Sequence, residues 1–71
     1  MKAKELLEHL RLVCGMLVSV SEKVEFIMRE TKEEELKIEL DALGGALFVL
    51  IFYTTKLIDE VRSYVVQEEA R

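Results

Sequence analysis

Proline, tryptophan and asparagine are absent from this chain, and cysteine, histidine and glutamine occur once each. Without proline, no position loses a backbone donor that a helix interior would need. The single cysteine, Cys14, excludes an intramolecular disulfide and any Cys-x-x-Cys redox or zinc motif. The single histidine, His9, has Leu6 rather than a glutamate three residues before it, so the Glu-x-x-His element of di-iron bundles is missing. The three glycines, Gly15, Gly44 and Gly45, form no phosphate-cradling loop. Basic residues never form a run: ten lysines and arginines are scattered from Lys2 to Arg71 among 14 acids, for a net charge of −4. A nucleic-acid surface needs its positive charge gathered on one face. Long apolar runs are missing too. Residues 42–53 form the longest, well short of the roughly 20 residues that cross a bilayer.

What is present is helical periodicity. Leu6, Leu10, Val13, Leu17, Val20, Val24 and Ile27 form one ladder, and Leu36, Leu40, Leu43, Leu47, Leu50, Thr54, Leu57, Val61 and Tyr64 form another. Steps alternating four and three average 3.5 residues, which holds one seam of an α-helix against a partner over many turns. A strand, with its period of two, cannot keep that set on one face.

Between the ladders, residues 29–35 contain nothing apolar. Ile27 to Leu36 is a phase slip that fits neither a three- nor a four-residue insertion in a continuous coiled coil. Thr31 and Glu34 have capping-box spacing, and Glu33, Glu34 and Glu35 suit the positive end of a helix. The expected fold is therefore all-α: one domain over residues 1–71, with a helix at about 3–29, a turn at about 30–32 and a helix at about 32–67. The rival is a single continuous rod. Ser19 and Glu22 also have capping-box spacing, but the seam persists across them, so Ser19 and Ser21 are read as tolerated mid-helix serines.

Folding back at Thr31 pairs positions whose numbers add to about 63. Gly15 then faces Phe48, while Gly44 and Gly45 face Val18 and Ser19, small opposite large. The last turns of the second helix overhang, so Tyr64, Val65 and Val66 form a candidate partner-binding tip. A second apolar set lies one position along: Leu7, Cys14 and Met28, then Ile51, Ile58 and Val65. A lone two-helix hairpin covers one stripe per helix and would leave this surplus exposed. The antiparallel hairpin, with its heptad-like seams, is thus expected to close into a four-helix bundle as a homodimer or larger homo-oligomer. Leu47, Phe48, Ile51, Phe52 and Ile58 are the candidate oligomer interface.

Little chemistry is legible. Glu5 and His9 read as an exposed pair, Cys14 as core, and Thr54 as a seam hydroxyl bonded back to its own helix or as a register-setting polar layer. No catalytic residue, cofactor site or metal site is identified. The expected function is that of a non-catalytic helical interaction module or regulator, partnered with itself and with another protein. The lone thiol and the lack of a basic leader before residues 12–20 point to the cytoplasm. One alternative is a membrane-associated hairpin that uses residues 42–53. Another is a small RNA-binding four-helix bundle, which resembles the plasmid copy-number proteins in architecture alone and is opposed by the scattered basic residues. Abundant glutamate and lysine without asparagine resembles the composition of heat-adapted proteins.

Overall fold

The computed structural model describes residues 1–70; residue 71, the last of the expected domain, lies outside the described residues. Two helices account for almost all of it: α1 at Ala3–Glu30 and α2 at Glu34–Ala70. They pack against each other as a hairpin measuring 57 × 15 × 14 Å, so the continuous rod does not form. α1 runs unbroken through Ser19 and Ser21.

Thr31 acts at the opposite helix end from the one its spacing suggests. Instead of opening α2, it closes α1. Its backbone is extended (φ −82°, ψ 132°), its N–H donates to the Met28 carbonyl at 3.3 Å, and its Oγ1 donates to the Ile27 carbonyl at 2.6 Å. A helix's last carbonyls lack intrahelical partners, and a threonine just past the end can satisfy one as readily as it can cap the next helix. α2 starts two residues later than expected, with the Lys37 N–H donating to the Glu33 carbonyl at 3.0 Å. Glu34 and Glu35 still occupy its first turn and Arg29 the last turn of α1, each placed favourably for the helix dipole.

Burial identifies the seam. On α1 the covered or half-covered positions are Ala3, Leu7, Leu10, Cys14, Leu17, Ser21, Val24, Met28 and, just beyond the helix, Thr31. On α2 they are Lys37, Leu40, Gly44, Leu47, Ile51, Thr54, Ile58, Val61 and Val65. Both series step by alternating threes and fours. They match in opposite directions when residue numbers add to about 68, in agreement with the cluster in which Leu7, Ile58 and Val61 pack with Ala3, Leu10, Cys14 and Val65. The register is therefore displaced by about five residues from the one expected, because the chain reverses after Thr31 rather than at it.

Three expectations change with the register. The α2 overhang disappears, since Val65 packs into the cluster with Leu7. The glycines make no tight contact. A methyl group at Gly15, Gly44 or Gly45 would meet no atom of a neighbour within 4 Å, so none of them permits a close approach inside the hairpin. Thr54, buried in the seam, donates its Oγ1 to the Leu50 carbonyl at 2.7 Å and is satisfied within its own helix. Thr54→Val is accordingly expected to leave stability unchanged or raise it by up to about 1 kcal/mol, because the Leu50 carbonyl keeps its ladder bond and a buried polar atom is removed. Chemical denaturation checks this. A loss above about 1 kcal/mol would show that the hydroxyl sets the register.

The core is thin. Leu7, Val24, Leu47, Ile58 and Val61 are 6–8% exposed, and no described side chain is fully buried. Two surface ion pairs, Lys37–Glu34 at 3.7 Å and Arg62–Asp59 at 3.5 Å, are well solvated and add little. Glu25–Arg29 and Glu33–Lys37, which also have pairing spacing, are not among the ion pairs of the described residues; Lys37 turns to Glu34 instead.

A candidate association surface

Only half of each sequence ladder enters the hairpin seam. Leu10, Leu17 and Val24 are used there, as are Leu40, Leu47, Thr54 and Val61. The remaining members, Leu6, Val13, Val20 and Ile27 on α1 with Leu36, Leu43, Leu50, Leu57 and Tyr64 on α2, stay 40–60% exposed. Each set recurs every seven residues. With 3.6 residues per turn it lies about 80° round the helix from the seam. α2 runs opposite to α1 and also faces it, so the two reversals cancel and both columns turn to the same side of the hairpin.

That side differs sharply from the reverse one. All nine positions of the outward columns are apolar or aromatic. The corresponding columns on the other side carry Lys4, Arg11, Val18 and Glu25, then Glu34, Asp41, Phe48, Thr55, Arg62 and Glu69. The seam itself is less uniform than the outward columns, since it includes Ser21, Lys37 and Gly44. Sequence spacing assigns the outward columns to the hairpin's own seam. The signal that separates the two is this difference in purity.

The candidate interface residues fall into two groups. Leu47 and Ile58 are buried and Ile51 is half-buried, all covered by α1 of the same chain. They are seam residues rather than a surface available to another subunit, because the true register brings α1 over them. Phe48 and Phe52 are exposed by 70% and 62%, and Phe52 meets Tyr53 edge to face with ring centroids 5.9 Å apart. At the candidate tip, Tyr64 and Val66 are exposed while Val65 is packed.

Groups with chemical potential are dispersed. His9 is exposed. Cys14 is a free, half-buried thiol against the Leu7–Ile58–Val61 cluster, the environment of a packing residue. Among the described residues no three His, Cys, Asp or Glu side chains gather where they could hold a metal ion. One open groove beside the turn is lined by Met28, Arg29, Lys37, Ile38 and Asp41, and another on α1 by Arg11, Leu12, Gly15, Met16, Ser19 and Val20. Neither encloses a paired acid and base or a nucleophile with its base. No described helix is long and apolar enough to cross a membrane.

The fold and this surface define a two-helix α-hairpin with an exposed column of apolar or aromatic residues on the same side of each helix. No protein-family model matches the chain, and neither a curated protein nor a solved structure does so.

Proposed function

We propose that this chain is a non-catalytic helical module that works as a homo-oligomer, closing its apolar side on another hairpin and presenting its remaining surface to a protein partner as a small regulator. The outward columns carry this reading: nine apolar or aromatic positions at constant spacing, on one side of a thin-cored hairpin, in a chain that is one-third charged. Exposed apolar surface of that extent on a soluble domain marks an interface. Phe48 and Phe52, with Val66 near the C-terminal end, lie off the outward columns and supply aromatic and aliphatic contacts suited to a second protein. A cytoplasmic setting fits a cysteine placed for packing rather than pairing.

Mass action provides the test. If folding and association are coupled, the thermal midpoint rises by several degrees across an approximately hundredfold increase in protein concentration. A midpoint independent of concentration overturns the reading.

A further inference from the structure

We propose that the outward columns are covered by a second copy of this chain, docked face to face with the two-fold axis along the hairpin, so that α1 of each copy lies on α2 of the other and both turns sit at the same end. This rests on the self-association proposed above and adds which side is used and which helix meets which.

Area favours a second copy over a smaller occupant. The chain exposes 5853 Å², whereas a compact folded protein of 8.2 kDa exposes about 4500 Å². One compact body of twice the mass would expose about 7500 Å², so pairing two chains would remove roughly 4000 Å² in total. That lies within the range of permanent homodimers, about 2000–5000 Å². Shape agrees. The surface is two columns wide and runs nearly the full length of both helices, so a single docked helix would sit between the columns. A second hairpin carries two columns at the same spacing and meets both.

Side-chain size decides which helix meets which. The middle of the α1 column is Val13 and Val20, and the middle of the α2 column is Leu50 and Leu57. Rotation about an axis along the hairpin preserves height, so Val20 of one copy meets Leu50 of the other and Val13 meets Leu57. Small against large fills each layer evenly. Placing α1 on α1 would gather the valines in one thin region and crowd the leucines in another. At the rim the same rotation brings Met16 of one copy beside Tyr53 of the other, a favourable sulfur–aromatic contact.

Cross-linking in a Cys14→Ser background tests the arrangement. Val20 and Leu50 of one chain stand side by side on adjacent helices, so their Cα atoms are separated by about the 8–10 Å spacing of packed helices, beyond the roughly 7 Å that a disulfide spans. The double variant Val20→Cys/Leu50→Cys is expected to oxidise to a covalent dimer, and either single variant to stay mostly uncross-linked. Leu50→Glu places a charge where the single chain is already half-exposed, so it is expected to keep its helicity while its mass falls to 8.2 kDa. Phe48→Glu, on the reverse side, is expected to retain the dimer. If a single-cysteine variant cross-links as well as the double one, each helix meets its own copy and the proposed pairing fails while self-association stands. If Phe48→Glu dissociates the assembly and Leu50→Glu does not, the reverse side is the interface and the proposal fails in the same limited way. A wild-type chain that is monomeric at every concentration, with or without affinity for lipid vesicles, removes both the proposal and the function on which it rests.

Discussion

Ile58→Ala is expected to lower the thermal midpoint by on the order of 10–20 °C. Ile58 is 8% exposed and packs with Leu7 and Val61 in a cluster of buried side chains near the open end of the hairpin. Truncating a buried isoleucine to alanine costs about 2–5 kcal/mol, depending on how far the site can collapse. In a core this thin the lower part of that range applies, about 2–3 kcal/mol, and each kcal/mol shifts the midpoint of a domain this size by about 4–8 °C. The neighbouring Asp59→Ala is a matched control. It removes only a solvated contact to Arg62 at 3.5 Å and is expected to cost less than about 0.5 kcal/mol. Melting followed by circular dichroism at 222 nm, the standard helix band, separates the two variants. Equal midpoints for both would mean that Ile58 is not held inside the hairpin and that the register is wrong.

Gly15→Ala combined with Gly45→Ala is expected to act in the other direction, raising stability by about 2 kcal/mol and the midpoint by about 10 °C. Each glycine lies in a helix interior, where it costs about 1 kcal/mol relative to alanine. Both are exposed, and a methyl group at either site would meet no neighbour within 4 Å. Both also point away from the outward columns, so the pairing proposed here leaves them in solvent. Denaturant titration of the double variant gives the value. A loss of stability, or a change in mass, would show that another chain packs closely on these positions, and that the glycines are there to admit it.

The helical class, the two-element organisation and the approximate place of the break were legible in the sequence, because a sustained 3.5-residue period admits no other secondary structure. The register was not. Three neighbouring columns of each helix are largely apolar, together spanning a stripe about 100° wide or more, and periodicity cannot say which two face the helix's own partner. Leu10 and Leu17 belong to the seam under either choice, whereas Leu6 and Leu7 exchange roles. The more uniform ladder was the natural choice for the seam, yet the intrachain seam tolerates Ser21, Lys37 and Gly44. Thr31 compounded the ambiguity, since its hydroxyl can close the helix before it or open the one after it, and the few residues gained by closing α1 shift every pair along the hairpin. The outward columns are hard to tell from the seam for the same reason: spacing alone places them inside the hairpin and places Leu47, Ile51 and Ile58 outside it, whereas α1 covers Leu47, Ile51 and Ile58 and leaves the columns exposed.

The measurement that bears most directly on the outward columns is absolute mass by light scattering on a sizing column, without detergent. A single species at twice 8.2 kDa is expected for wild type, falling to 8.2 kDa for Leu50→Glu with helicity retained. A wild-type chain that elutes as a folded 8.2 kDa monomer at all concentrations would contradict the central claim, because nine apolar positions would then face water with nothing to cover them.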